Sequence, residues 1–128
     1  MATIIALTPN QPAAVNGPAG AATKMNLWEA FDASPYDYFD LELGVDAINL
    51  AGGANITIAL ETSMQNEVDD ASWQQIASWA SLGTAPNYSI KSIDKGFLRY
   101  LRWNVSVITT NQSIAFWIRG IGRRYGSP

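Results

Sequence analysis

Three acidic residues close together in the chain are the first candidates for chemistry, because two carboxyl groups flanking a sugar bond can hydrolyse it. They are Asp37, Asp40 and Glu42. On a β-strand, Asp40 and Glu42 lie on one face about 6–7 Å apart, a separation compatible with a glycosidase. Any solvent-facing strand of an acidic protein has the same geometry, and we favour that second interpretation.

The amino-acid composition removes most other catalytic chemistry. The 128-residue chain contains no histidine and no cysteine. Without histidine there is no Ser-His-Asp triad, no imidazole base and almost no basis for a zinc or iron site. Without cysteine there are no disulfides and no thiol nucleophiles. We therefore predict a protein that binds or assembles and is not an enzyme, with no cofactor and no metal.

A second acidic cluster, Gln-Asn-Glu-Val-Asp-Asp, occupies residues 65–70. Calcium binds six to eight oxygen atoms, and a loop of this kind supplies several of them. The cluster lacks the alternating Asp/Asn ligands and the central glycine of a calcium-binding loop. We interpret it as a solvated acidic turn, with calcium binding as the alternative.

Aromatic residues offer another kind of site, because the face of a tryptophan can stack on a sugar ring. The five tryptophans are Trp28, Trp73, Trp79, Trp103 and Trp117. Alternation along the strands places Trp103 on a core face and Trp117 on an outer face beside Arg119. We expect two or three of the five in the core. An outward tryptophan beside an arginine is typical of protein interfaces, which we favour over a sugar site for the others.

The charges are unevenly distributed along the chain, whose net charge is −3. Residues 1–90 contain ten of the eleven acidic residues and only one base, whereas residues 91–128 contain seven of the eight bases. Either these charges pair within the fold, or the basic end meets an acidic surface on a neighbouring copy or another protein. The acidic total argues against nucleic acid as the main partner. The candidate interface residues are Trp117, Arg119, Arg102, Arg123, Arg124 and Tyr100.

Arg99 does not fit the alternation of the strand around it. It shares its parity with Leu101 and Trp103, which are expected to face the core. Either Arg99 reaches solvent at the end of the strand, or it is buried beside a carboxylate. We expect a structural role for it in both cases.

Short runs of alternating apolar and polar residues predict the elements that position these side chains. The clearest are residues 37–45, 56–61, 97–107 and 113–119, with less regular runs at 3–7, 25–31 and 88–90. Residues 72–79 form a further candidate strand, with a short helix as the alternative. Seven or eight short strands separated by turns predict an all-β, antiparallel two-sheet sandwich, with a jelly roll as the natural eight-strand arrangement.

The chain is expected to form a single domain. The sequence predicts a strand followed by a Pro/Gly-rich extended arm or long loop over residues 1–23. It predicts the sandwich over residues 24–121 and a flexible basic tail over residues 122–128. No run approaches the roughly 20 apolar residues of a membrane helix, and the N-terminus lacks the basic flank of a signal peptide. We expect no membrane partner and no Sec-type export.

Several features of residues 56–120 occur together in a recognisable order. They are Leu60-Glu61-Thr62-Ser63 at the end of a strand, an acidic loop, Trp73-x-x-Ile76, a Gly/Pro turn, the strand FLRYLRW at 97–103, and the strand IAFWIRG at 114–120. This order resembles that of small β-sandwich virion proteins of tailed bacteriophages. The resemblance covers about half of the chain, and residues 1–50 fall outside it.

The resemblance implies a capsid decoration (cement) protein or another head- or tail-associated protein. Its partners would be the major capsid protein or another virion protein, together with further copies of itself as a homo-oligomer. It would be made in the host cytoplasm and located in the virion. No catalytic residues carry over. The alternative function is a lectin-like carbohydrate-binding module that uses exposed tryptophans.

Overall fold

The computed structural model describes residues 2–8, 11–18, 23–25, 29–66, 70–94 and 96–125, which form two antiparallel β-sheets. The strands are β1 (Ala2–Ala6), β2 (Ala13–Asn16), β3 (Phe31–Asp32), β4 (Tyr38–Asn49), β5 (Ile56–Ser63), β6 (Gln74–Leu82), β7 (Asn87–Ile93), β8 (Tyr100–Val107) and β9 (Ser113–Arg123). A 3-10 turn at Asp70–Ser72 precedes β6. In this part of the chain, no helix is long and apolar enough to cross a membrane.

The order of the strands confirms the predicted sandwich. One sheet, here called the β9 sheet, has the order β1–β9–β4–β7, and β2 continues the edge formed by β1 by pairing with the first half of β9. The other, the β8 sheet, has the order β3–β8–β5–β6. From β2 onward the chain alternates between the sheets, except that β5 and β6 are neighbours. With β1 and β2 counted as one interrupted strand, this is the eight-strand order of a jelly roll.

The core lies between the two sheets and is built from the alternating positions. In β4, Phe39, Leu41, Leu43 and Val45 are fully buried, and β5 and β9 contribute their alternating residues in the same way. Each such side chain stabilises the fold by roughly 1.5–3 kcal/mol relative to an exposed one. Burial therefore fixes the register of these strands, because a shift by one residue would expose the whole apolar set.

Aromatic rings close one end of the core around Phe39. Its ring lies 5.8 Å from Phe31, 5.4 Å from Tyr36 and 5.0 Å from Phe97, between ring centres, in edge-to-face contacts. This geometry matches the electrostatic preference of aromatic pairs. The cluster joins β3, β4 and the segment before β8, and so holds the two sheets together at this end.

The N-terminal segment differs from its prediction as an arm or long loop. Residues 13–16 form β2, and Val15 is buried opposite Ile114. This tetrapeptide contains neither glycine nor proline, although Pro12 precedes it and Gly17-Pro18 follows it, so it can pair with β9. Residues 9–10 and 19–22 lie outside the described residues.

Two other boundaries also differ from the sequence-based ones. β9 continues to Arg123, beyond the predicted end of the sandwich at residue 121, because its end pairs with both β1 and β4. Of the residues described in the predicted strand at 25–31, which exclude 26–28, Phe31 alone lies in a strand. Residues 74–82 form β6, so of the two interpretations of 72–79 the strand is confirmed.

Candidate interaction surface

On the outer side of the β8 sheet, the chain itself covers the region around Arg102. The Arg102 side chain is only 4% exposed and donates hydrogen bonds to Glu61 at 2.7 Å and to Asp70 at 3.2 Å. Its guanidinium also lies over the buried Trp73, 4.5 Å from the ring centre. Two carboxylate partners and an aromatic ring stabilise the positive charge of a buried arginine, so it needs no contact with bulk water.

Two segments hold this cover in place. Asn104 donates a hydrogen bond to Glu61 at 3.2 Å, and the Lys24 ammonium pairs with Asp70. The Lys24 side chain is the main cause of the lowered pKa of Asp70. The backbone N–H of Met25 donates to the Trp103 carbonyl at 3.0 Å. Residues 23–25 therefore pair with the edge of β8, whereas Asp70 and Trp73 lie over its outer face at Arg102.

The prediction that Arg102 belongs to an interface is wrong, because its side chain is already buried within the chain. Alternation correctly placed Arg102 on the outer side of its sheet. It could not show that Trp73 and the 3-10 turn would fold over the same position. Tyr100, two residues earlier on that side, is half-buried, and the Arg99 guanidinium lies 5.1 Å from its ring centre.

The outer face of the β9 sheet, which we call the open face, carries exposed apolar side chains from both its edges. Ile4 of β1 is 87% exposed, Ile90 of β7 is 66% exposed and Tyr88 of β7 is 60% exposed. A shallow depression of about 370 Å³ lies between these edges. Its lining consists of Ile4, Asp40, Glu42, Ile90, Arg119, Gly120 and Ile121. The exposure of its isoleucines shows that none of the described segments covers this face.

Asp40 and Arg123 satisfy each other at one end of the open face. Arg123 of β9 pairs with Asp40 of β4, and Ser92 donates a hydrogen bond to Asp40 at 2.6 Å. The hydrogen bond from Ser92, followed by that from Arg123, lowers the pKa of Asp40 below its ordinary value. Arg123 also lies 5.7 Å from the ring centre of Tyr38. This end of the face therefore presents charges that are already neutralised.

Arg119 and Glu42 are different, because neither has an ionic partner in the part of the chain that the structure describes. They are directly opposite each other in the pairing of β9 with β4 and point to the same face. The Arg119 guanidinium nevertheless lies along the half-buried Trp117, 5.3 Å from its ring centre. Among the described residues, Arg119 makes no ion pair and Glu42 makes neither an ion pair nor a hydrogen bond. Both charges therefore remain available for an external partner.

The six predicted interface residues are thus divided between two faces. Trp117, Arg119 and Arg123 lie on the open face, and Tyr100 and Arg102 lie on the covered one. Arg124 is exposed immediately after β9. Sequence reasoning missed Ile4, Ile90 and Tyr88 as members of the surface. Tyr88 and Ile90 alternate around Ser89, which indicates a shared face, but only the pairing of β7 with β4 shows which face it is.

Pairing inside the fold explains part of the uneven distribution of charge. Three arginines of the C-terminal third pair with acids of the first two-thirds: Arg102 with Glu61 and Asp70, Arg123 with Asp40, and Arg99 with Asp32 at 3.8 Å. The Arg99 side chain is 52% exposed, so of its two predicted positions the solvent-facing one is found. Lys91, Arg119 and Arg124 make no ion pair among the described residues, so the second interpretation, docking to a partner, still applies to them.

The tryptophans and the acidic loop can be placed only in part. Trp79 and Trp103 lie in the core, in agreement with two or three expected there, and Trp73 is buried outside it against Arg102. Trp28 lies outside the described residues. Residues 67–69 of the acidic loop are likewise not described. In the parts that are, no group of three or more acidic, histidine or cysteine side chains is placed to hold a metal ion.

The open face has side chains that the described part of the fold leaves without an internal role. It combines apolar side chains, an exposed arginine on a tryptophan and an unpaired glutamate. Comparison with known proteins finds no family model, no curated protein and no solved structure that matches the chain.

Proposed function

We propose that this chain is a non-enzymatic structural protein that assembles through the open face. The observation that carries the proposal is the contrast between the two sheets. One outer face has a buried arginine network over its Arg102 region, and the other leaves Ile4, Ile90 and Tyr88 in solvent. Exposed apolar side chains on an uncovered sheet face are typical of protein–protein interfaces. Here Ile4 and Ile90 lie on opposite edges of the face, with Arg119 and Glu42 on the strands between them. Trp117 with Arg119 is a suitable anchor at the centre of such an interface.

We further propose that the assembly is a phage virion. The support is the resemblance of residues 56–120 to small β-sandwich virion proteins of tailed phages. The protein would be a capsid decoration (cement) protein or another head- or tail-associated protein. Its partners would be copies of itself and the major capsid protein or another virion protein, with assembly in the host cytoplasm.

The carboxylates on the open face favour this non-catalytic role. A glycosidase of the two-carboxylate kind needs one carboxyl group with a raised pKa as its general acid. The pKa of Asp40 is instead lowered by Ser92 and Arg123, which keeps this group ionised. Beside it, the depression is lined by three isoleucines, which suit an apolar contact.

The carbohydrate-binding alternative is less well supported by the same surface. A tryptophan that stacks on a sugar needs a free ring face, but the guanidinium of Arg119 lies over Trp117 at 5.3 Å. Trp73, Trp79 and Trp103 are buried and unavailable. Glycan-array binding that disappears in a Trp117→Ala variant would favour this alternative over assembly.

The proposed function is tested by the composition of purified phage particles. Quantitative mass spectrometry is expected to find the protein at a fixed ratio to the major capsid protein. Trp117→Ala is expected to reduce its incorporation at least about tenfold, as truncation of a central interface tryptophan costs about 2 kcal/mol or more. Leu98→Ala, at a side chain that is 40% exposed outside the open face, serves as the control and is expected to incorporate normally.

Two results would count against the proposal. The first is absence of the folded protein from particles of the phage that encodes it. The second is full incorporation of the folded Trp117→Ala variant, which would leave virion location intact but remove the open face as the attachment surface.

A further inference from the structure

We propose that the open face binds a second copy of the same chain, face to face, around a two-fold axis that runs between β4 and β9 parallel to the strands. This inference rests on the proposed role of the open face in assembly and specifies its partner. It starts from the unpaired Glu42 and Arg119, which are direct cross-strand neighbours on β4 and β9. Two-fold interfaces use the same patch on both subunits, so the patch must be complementary to itself.

The axis makes the two charges complementary. Rotation about a line between β4 and β9 places β4 of one copy over β9 of the other, at the same height along the strands. Glu42 of the partner subunit then lies over Arg119, and Arg119 of the partner subunit lies over Glu42. Both unpaired charges gain a partner, and two ion pairs form for each dimer. Two aligned sheets cross at about 30°, which moves residues far from the axis out of register. The ion pairs lie close to the axis and are therefore displaced least.

The same rotation brings apolar side chains together on the Trp117 side of the ion pairs, whereas on the other side Ile4 of one copy faces Ser92 of the other and Ile121 faces Asp40. Trp117 is directly opposite Gly44 on β4, and Gly44 in turn is opposite Tyr88 on β7. The Tyr88 ring lies against Gly44, where a Cβ atom would be only 3.1 Å from it. Trp117 of one copy therefore meets the Gly44–Tyr88 surface of the other. In the next row, Ala6 of one copy faces Ile90 of the other.

The β7 edge of the β9 sheet is protected against pairing with a strand of another copy. This favours contact between two copies through the faces of their sheets. Lys91 is opposite the core residue Leu41, so it occupies an inward-facing position, yet it is exposed. A lysine at an inward position of an edge strand opposes the addition of another strand. The open face next to this edge carries no such protection.

The open face is also large enough for a specific contact. Four strands spaced about 4.8 Å apart, over about eight residues of 3.4 Å each, span about 500 Å². Two copies therefore bury on the order of 1,000 Å² in total, which reaches the lower size limit of specific interfaces.

Charge reversal of the purified full-length protein tests this inference, with sedimentation equilibrium as the readout. The unmodified chain is expected to be a dimer. Arg119→Glu and Glu42→Arg are each expected to weaken the dimer at least about 100-fold, because each places two like-charge pairs at its centre. The double variant Arg119→Glu/Glu42→Arg restores opposite charges across the axis and is expected to recover most of the affinity. Arg99→Glu and Glu29→Arg, both exposed on strands or loops outside the open face, are the matched controls.

The outcomes separate this inference from the proposed function. A monomeric unmodified chain, a dimer that survives either single reversal, or a double variant no stronger than the singles would overturn the two-fold dimer. A thermal melting curve recorded for each variant serves as the control that the variant is folded. If the dimer fails these tests while Trp117→Ala still prevents incorporation into particles, the open face binds another virion protein and the proposed function stands.

Discussion

Replacement of Arg102 by methionine is expected to lower the free energy of unfolding by about 3–5 kcal/mol, the usual cost of removing one partner from a buried ion pair. Glu61, whose side chain is only 13% exposed, would lose its cationic partner, and Trp73 would lose the guanidinium that lies on it. Urea unfolding measured by tryptophan fluorescence gives this free energy directly.

Arg99→Met is the matched control for this prediction. Arg99 also has a carboxylate neighbour and an aromatic ring, but its side chain is 52% exposed. Solvent weakens such pairs, so its replacement is expected to cost less than about 1 kcal/mol. Equal losses for the two variants would show that Arg102 is not buried in a closed network, and the covered face would then need another explanation.

Phe39→Ala is expected to lower the free energy of unfolding by about 3–5 kcal/mol, because it leaves a cavity at a fully buried position. The loss includes three edge-to-face ring contacts, with Phe31, Tyr36 and Phe97. Because these rings join the two sheets, the effect is expected in the cooperative unfolding transition and not only in local fraying. Thermal and urea unfolding measure it.

Tyr125→Ala provides the comparison for the loss of a ring contact without a cavity. The Tyr125 ring stacks on Tyr38 at 5.0 Å but is 65% exposed. Its replacement is expected to cost less than about 1.5 kcal/mol, the upper range for an aromatic pair. A Phe39→Ala variant no less stable than Tyr125→Ala would contradict the placement of Phe39 at the centre of the core.

The layers of this fold could be predicted from the sequence because its strands alternate so regularly. The apolar positions of residues 39–45, 56–60 and 114–118 are buried as expected. Their period of two is a local property and needs no knowledge of the partner strand. The N-terminal strand β2 could not be predicted in this way, because its four residues contain one large apolar side chain and only pairing with β9 defines it.

The candidate surface was harder to predict for a related reason. Alternation tells which residues face away from the core, but not whether another segment covers them. It assigned both Arg102 and Arg119 to outer faces, and only the folded chain shows that Trp73 covers Arg102 while Arg119 stays exposed. In the same way, the pairing of β9 with β4 is what places Glu42 beside Arg119, since 77 positions separate them along the chain.

The absence of cysteine in this chain allows a direct test of the open face by thiol labelling. Ala47→Cys introduces a thiol on the open face near the proposed axis, and Ser106→Cys introduces one on the outer side of the β8 sheet. Both positions are exposed, so both thiols are expected to react rapidly with a maleimide in dilute protein. In the assembled protein, the reaction at position 47 is expected to slow at least about tenfold, because residues at the centre of an interface lose contact with water. The reaction at position 106 is expected to keep its rate; equal rates at position 47 in the two states, or protection at position 106 alone, would contradict assembly through the open face.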